Sequence, residues 1–269
     1  MEANTLMREG RPGEALAALK RAVQGDPADA ELRLSLAQAF AVMGEWERCA
    51  TQLQVAGELS DANLLVANVY RAAVRAELYR RDVFEGRRAP HVMGEPEPWI
   101  GEMIRSLGDA ARSDHEAAIE ARDRAFEEAP TRGGTIEIDN AEPAHFEWLS
   151  DGDSRLGPIF ELVVEGRYCW VPIDRIEVLH LEAPVSVRDL VWTTGSVRWS
   201  NQGEASVLMP TRYPVGAESD ESVLMSRRTE WDEPAEGYVV GRGQRMLVTD
   251  VDEYPILSVR RLIFGESGG

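Results

Sequence analysis

A 34-residue repeat runs through the first part of the chain. It shows as matched positions at that offset: Gly10 and Gly44, Ala15 and Cys49, Leu19 and Leu53, and Ala22 and Ala56. In such a unit a glycine closes the first helix, and a small residue five positions later lets the two helices pack closely. Pro27 stands where a proline ends the second helix, and Asp61 replaces it in the next unit. Because a single helix pair cannot bury its apolar face alone, the repeat predicts stacked pairs.

A period of 34 is typical of the tetratricopeptide repeat. Helix breakers and apolar periodicity predict helices over 3–9 and 13–24, 29–43 and 46–58, 61–83, and 99–108 and 113–128. The helix over 61–83 opens a third repeat that lacks a clear closing glycine. Glycine and proline make 84–98 a loop, and Pro130 with Gly133-Gly134 ends the helical part.

Beyond Gly134 the pattern changes to short β-type runs separated by Gly, Pro, Asp and Asn. Residues 187–192 are ambiguous between strand and helical turn. Several short strands without a long helix predict a small, strongly bent sheet or barrel. We therefore expect an α+β chain of two domains: a tetratricopeptide-like helical domain over 1–132 and a β-rich domain over 133–269.

The charge is divided at the same place. The 29 basic and 47 acidic residues give a net charge of -18, of which residues 1–132 hold -6 and residues 133–269 hold -12. A nucleic-acid phosphate backbone and an anionic membrane both select clustered positive charge. We therefore expect neither as a partner.

The number of cysteines and the length of the apolar runs indicate in which cellular compartment the protein is found. Cys49 and Cys169 are too few for a secreted disulfide scaffold, which favours a reducing compartment. No apolar run approaches the roughly 18 residues of a membrane span, and the N-terminal residues lack a signal-peptide pattern. We expect a cytoplasmic protein with no membrane insertion.

The repeats predict a partner-binding groove, because the first helix of each pair lines the concave side of the stack. In the 34-residue frame its positions are Glu31, Leu34, Gln38, Ala41, Leu65, Asn68, Ala72 and Arg75. An apolar floor with an amide and a guanidinium suits an extended or helical peptide. Alternatively, these residues only pack against the third helix pair or the β domain.

A short acidic motif, Asp151-Gly-Asp153-Ser-Arg155, resembles part of a calcium loop. Leu156 and Leu162 stand where an EF-hand loop needs glycine and glutamate, which favours a turn with Arg155 bound to a carboxylate instead. An enzyme using Asp151 or Asp153 with Glu161 is a further alternative. No histidine lies at metal-ligand spacing from another, and we expect no catalytic residue, metal or cofactor.

The β-rich part also pairs arginines with aromatic residues, a combination found in interaction hot spots and in self-locking structural cores. The residues singled out are Arg188, Asp189, Trp192, Arg212, Tyr213, Trp231, Gln244 and Arg245.

These motifs resemble the ImpE (TagJ) family of bacterial type VI secretion over nearly the full length. The helical part carries Gly44-Glu-Trp46-Glu-Arg48, Gln52-Leu53, Ala56, Tyr70-Arg71, Glu77, Arg80, Val83-Phe84 and Pro96-x-Pro98-Trp99. The β part carries Asp151-x-Asp153-Ser154-Arg155-Leu156-Gly157-Pro158, Glu161, Gly166-Arg167-Tyr168-x-Trp170-Val171-Pro172, Arg188-Asp189-Leu190-Val191-Trp192, Pro210-Thr211-Arg212-Tyr213-Pro214, Thr229-x-Trp231 and Gly243-Gln244-Arg245. Val215 before Gly216, and Thr193-Thr194 after Trp192, depart from the family pattern and indicate loop variation.

The resemblance implies a non-enzymatic adaptor. Members are associated with the contractile sheath, contact the N-terminal helix of the small sheath subunit, and are linked to the ClpV unfoldase that recycles the sheath. Two alternatives remain open at this point: a holdase-type chaperone for a sheath or effector subunit, and a carboxylate-based enzyme.

Overall fold

The computed structural model describes residues 2–216 and 219–265. Its helices are α1 (Glu2–Arg8), α2 (Pro12–Gly25), α3 (Ala30–Val42), α4 (Trp46–Leu59), α5 (Asp61–Phe84), α6 (Pro98–Ala111), α7 (His115–Glu128) and α8 (Glu221–Leu224). The first seven agree with the predicted helices to within a few residues. Among the described helices, none combines the length and apolarity that a bilayer-spanning segment needs.

Local signals account for these boundaries. Gly10 and Gly44 have φ of 81° and 71°, a left-handed conformation that favours glycine and reverses the chain between paired helices. Asp29 begins α3 by accepting hydrogen bonds from the backbone N–H groups of Glu31 and Leu32 at 2.9 and 3.0 Å. The 34-residue repeat therefore folds into pairs of helices.

The strands are β1 (His91–Val92), β2 (Gly134–Ile138), β3 (Ala144–Phe146), β4 (Leu149–Asp151), β5 (Ile159–Val164), β6 (Arg167–Pro172), β7 (Ile176–Leu181), β8 (Trp192–Trp199), β9 (Glu204–Pro210), β10 (Thr229–Ala235), β11 (Tyr238–Gly243), β12 (Met246–Thr249), β13 (Glu253–Pro255) and β14 (Val259–Phe264). Nine of them form one open sheet in the order β1-β6-β5-β9-β8-β7-β14-β2-β3. The pair β10-β11 and the trio β13-β12-β4 form smaller sheets. The predicted α+β class with bent sheets is confirmed, and the sheet is open rather than a barrel.

Several strands differ from the sequence prediction. The predicted loop 84–98 contains β1, which pairs in parallel with β6. The ambiguous segment resolves into a 3₁₀ turn over Val187–Leu190 that leads directly into β8. Strands β3, β4 and β10 are short or carry charged residues, so their hydrophobic alternation is weak.

The apolar cores run across the predicted domain boundary. One core cluster joins α1–α5 to Val191, Trp192 and Met225, and another joins α5 and α6 to Ile159 and Trp170 of the sheet. A third cluster lies within the sheets. The helices therefore pack directly on the β-rich part, and a division into separate units near residue 132 stays a prediction.

Candidate partner-binding surfaces and the buried polar cluster

Three of the four groove positions on α3 lie against side chains of the β-rich part. Leu34, Gln38 and Ala41 line a cavity of about 20 Å³ together with Arg188 and Trp192. A cavity of that size has room for about one water molecule. This stretch of the predicted groove is occupied by the protein's own side chains.

The groove positions on α5 are mostly open. Leu65, Asn68 and Arg75 are exposed, whereas Ala72 faces Gly166 in the turn between β5 and β6. On α3, the exposed Glu31 accepts a hydrogen bond at 2.9 Å from Nδ2 of Asn63. The structure thus separates the eight positions into a covered part and an open part, and their role in binding stays a prediction.

The first half of α5 carries an exposed apolar strip, the α5 strip, formed by Leu64, Leu65, Val66 and Val69. Leu65 is 75% exposed, and Val66 reaches the edge of the small cavity beside Leu34. The groove frame included only Leu65 of these four. The missed signal is the apolar run itself, because consecutive apolar residues on a helix cover more than one face.

A buried fork joins α5 to the main sheet. Arg80 donates from Nε and Nη2 to the two carboxylate oxygens of Glu161 on β5, each at 2.7 Å. Tyr168 donates its hydroxyl to Oε1 of Glu161 at 2.5 Å, and Trp170 donates from Nε1 to the Tyr168 oxygen at 2.8 Å. All four side chains are buried, so the carboxylate is held by donors from both parts of the chain.

Arg245 extends this cluster on the sheet side. Its guanidinium contacts Glu161 and donates to Oδ2 of Asp151 at 2.5 Å. Tyr213 donates its hydroxyl to Oδ1 of Asp151 at 2.9 Å. Arg245 and Glu161 are fully buried, and the charge of Arg245 is paired inside the protein with the carboxylates of Glu161 and Asp151.

Asp153 forms the second half of the acidic motif. Its oxygens accept from Nε and Nη2 of Arg155 at 2.8 and 2.5 Å and from the backbone N–H groups of Arg155 and Gly241, both at 2.9 Å. This is the capped turn with an arginine fork that the sequence favoured. Within the described residues, no group of three or more His, Cys, Asp or Glu side chains could hold a metal ion.

Trp192, at the start of β8, makes a second set of contacts between the helices and the main sheet. Its indole Nε1 donates to Oε1 of Glu77 on α5 at 3.0 Å, and its ring lies 5.7 Å from Trp46 and 6.1 Å from Tyr70. Glu77 is also 3.4 Å from Arg80. The tryptophan therefore connects α4 and α5 to the start of β8.

The remaining arginine of this interface, Arg212, lies over the Trp46 ring, and the hydrogen bonds of its guanidinium within the described residues all go to carbonyl oxygens. It donates to the carbonyl oxygens of Ala41 and Val42 at 2.7 Å and also contacts that of Leu224. Burial lowers its pKa to about 10. Arg212 thus caps the end of α3 from the β-rich part.

The other motif residues make local contacts. Asp189 accepts from the backbone N–H groups of Val185 and Ser186 at 2.9 and 2.7 Å, while Arg188 lies over the Tyr70 ring. The side chain of Gln244 donates to the Ser226 carbonyl at 2.9 Å. Trp231 differs, because its ring is partly exposed above Gly152.

The cluster shifts the pKa of its carboxyl groups in opposite directions. Burial would raise the pKa of Glu161, but the charges of Arg80 and Arg245 outweigh it and lower that pKa to about 2. Burial raises the pKa of Asp151 to about 6, because the single charge of Arg245 offsets it only in part. Sequence reasoning missed Glu77 and Arg80 as members, although two charged residues at i, i+3 on the apolar face of a helix were the available signal.

Comparison with known proteins gives matches to both parts of the chain. Residues 143–263 match the ImpE protein family, and residues 6–72 match the tetratricopeptide repeat. The chain is 40% identical over 265 residues to the type VI secretion system accessory component TagJ of Pseudomonas aeruginosa, covering 98% of this chain and 91% of that protein. It also resembles the crystal structure of protein VPA1032 from Vibrio parahaemolyticus, with a TM-score of 0.88 at 25% identity over 99% of this chain and 98% of that one.

Proposed function

Because the chain belongs to the ImpE family, we propose that it is a non-enzymatic, cytoplasmic adaptor of bacterial type VI secretion that binds the N-terminal helix of the small sheath subunit. The α5 strip is the observation that carries this proposal. It presents contiguous apolar side chains on a helix of a tetratricopeptide-like stack, where a partner helix can lay its own apolar face.

The chemistry of the α5 strip favours an amphipathic helix as the occupant. Leu65 and Val69 are one helical turn apart and both exposed, which matches the spacing of anchors on a docked helix. Asn68 and Arg75 are exposed further along the same helix and can bond polar groups of the partner. Burial of apolar side chains is the main favourable contribution to a contact of this kind, and the cost of association offsets part of it.

The arginine pairing of the acidic residues supports a non-enzymatic role. Asp151, Asp153 and Glu161 are all buried, and each carboxylate is bound by an arginine. A general acid or base must reach substrate with an available oxygen. These carboxylates are better suited to holding the helices on the sheet.

A titration tests the proposal directly. A labelled peptide with the sequence of the sheath subunit's N-terminal helix is titrated with the protein and with Leu65→Asp. We expect at least a tenfold weaker Kd for Leu65→Asp, because a buried carboxylate would face the apolar side of the peptide. Val251→Asp, an exposed valine on a turn of the β-rich part, is the matched control. Equal binding by Leu65→Asp and the original chain would rule out the α5 strip.

The link to ClpV separates the adaptor from the alternative, a holdase-type chaperone. We propose that the protein connects the sheath subunit to the unfoldase. An adaptor forms a ternary complex when the sheath subunit and ClpV are both added, and size-exclusion chromatography detects it. A holdase forms the binary complex with the sheath subunit and leaves ClpV in its own fraction.

A further inference from the structure

A cleft of about 540 Å³ lies between α1 and the segment 184–190, which leads into β8. Its apolar lining includes the buried side chains of Met7 and Met225 and the half-buried Leu190. Val185 stands at its rim and is 86% exposed. None of these residues belongs to the α5 strip, so the cleft is a separate surface.

The charge of the cleft is opposite to that of the chain. The chain has a net charge of -18, yet the charged residues that line the cleft are Arg8 and Arg227. Neither forms an ion pair with a carboxylate of residues 2–216 or 219–265. Arg227 instead donates to the carbonyl oxygens of Met7 and Arg8 at 3.3 and 2.6 Å, at the end of α1.

The acidic group in the neighbouring segment does not neutralise these arginines. The Oδ2 oxygen of Asp189 accepts from the backbone N–H groups of Val185 and Ser186, and its Oδ1 lies 3.5 Å from Arg188. Both carboxylate oxygens of Asp189 therefore have partners within the segment that forms one wall of the cleft. Arg8 and Arg227 keep donors available at an apolar concave surface.

We propose that this cleft binds an acidic, apolar segment of a partner protein. An apolar side chain of that segment rests on Met7, Leu190 and Met225, and flanking carboxylates pair with Arg8 and Arg227. Arginine holds carboxylates through paired N–H donors, and complementary charge selects the partner as well as speeding its approach. The inference does not depend on the proposed function of the α5 strip.

A reciprocal charge swap tests the site. Two labelled peptides share one pattern of leucine and phenylalanine; one carries glutamate at the flanking positions and the other lysine. Each is titrated with the full chain, with Arg8→Glu/Arg227→Glu, and with the control Arg21→Glu/Arg167→Glu. The control changes the net charge equally at two exposed positions outside the cleft.

The glutamate peptide is expected to bind the original chain and to bind the cleft double variant about tenfold more weakly, since two ion pairs are lost. The lysine peptide should prefer that double variant over the original chain. Val185→Asp should also weaken binding of the glutamate peptide. Because Val185 is 86% exposed, we expect this substitution to leave folding unchanged. Circular dichroism and thermal melting establish that each variant is folded.

Two outcomes would overturn the proposal: no binding of the glutamate peptide, and an equal loss in the control and cleft variants. Sedimentation equilibrium accompanies the first outcome, where it could show a dimer that Arg8→Glu/Arg227→Glu abolishes. That result would assign the cleft to contact between two copies of this chain.

Discussion

Arg80 on α5 and Glu161 on β5 form a two-point fork in which both N–O distances are 2.7 Å. Both side chains are buried, and the fork crosses from the helices to the main sheet. A buried pair of this kind is weak support for stability in itself, because desolvation offsets much of the attraction. Removing one partner has a different effect, because it leaves the other charge buried and unpaired.

Arg80→Ala is therefore expected to lower the free energy of unfolding by about 3–5 kcal/mol. Urea denaturation followed by circular dichroism measures the change. The neighbouring Arg81 pairs with Glu47 at 3.2 Å, and both side chains are exposed. Arg81→Ala should cost less than about 1 kcal/mol, so equal effects of the two variants would contradict a structural role for the buried fork.

The pKa of Glu161 predicts how its contribution depends on pH. A carboxyl whose pKa falls from 4.5 to about 2 on folding stabilises the protein above pH 4.5 and loses that contribution as pH falls toward 2. The lost contribution is roughly 3 kcal/mol. The difference in unfolding free energy between the original chain and Glu161→Gln should shrink by about this amount over that range.

Asp151 affects stability in the opposite direction, over a pH range that overlaps that of Glu161. Its pKa is raised from 3.8 to about 6, so its favourable contribution is present below pH 3.8 and is lost as pH rises to 6. Asp151 is present in both proteins, but it shares Arg245 with Glu161, so the comparison measures Glu161 together with its coupling to Asp151. Parallel stability curves between pH 4.5 and about 2 would contradict the lowered pKa of Glu161.

Trp192→Phe is expected to destabilise the protein by about 1–3 kcal/mol. The phenyl ring can keep part of the packing against Trp46 and Tyr70, but it cannot donate to Glu77, which loses its 3.0 Å hydrogen bond. Thermal melting measures the effect. Trp148→Phe is the matched control, because Trp148 is partly exposed, and its change should stay within about 0.5 kcal/mol.

Both thiols should be unreactive in the folded protein. Burial raises the pKa of Cys49 to about 12 and also raises the pKa of Cys169. Since the thiolate is the reactive form, a thiol reagent at mildly alkaline pH should label neither residue until guanidinium chloride unfolds the chain. Rapid labelling of Cys49 before unfolding would show that α4 opens more readily than its packing indicates.

The helical part was predictable from sequence because its signals are local. Gly10, Gly44 and Pro27 mark turns by their own conformational preferences, and the repeat supplies the pairing of helices. Strand β1 carries no such signal, because two residues have no periodicity and His91–Val92 is extended only through its pairing with β6. Strand β8 contains Thr193, Thr194 and Gly195, and its neighbours β7 and β9 determine its conformation.

The sequence predicted several residues of the buried polar cluster, but it did not predict which of them pair with each other. Asp151, Asp153 and Glu161 stand out in the sequence, and the motif predicts that Arg155 binds a carboxylate, which the structure identifies as that of Asp153. The arginine partners of Glu161 are remote, since Arg80 and Arg245 lie 81 and 84 residues away in sequence. Only the packing of α5 on the sheet brings them together, and one sequence does not contain that information.

The same separation sets an order of events during synthesis. A ribosome releases α5 long before Glu161, and Arg245 follows later still. Until then the nascent helices lack Ile159 and Trp170 from their core, and Arg80 has Glu77 as its nearby carboxylate. We expect a fragment of residues 1–132 to show no cooperative unfolding transition in urea. Packing of the helical repeats is therefore expected to be completed only once the residues of the β-rich part have been made.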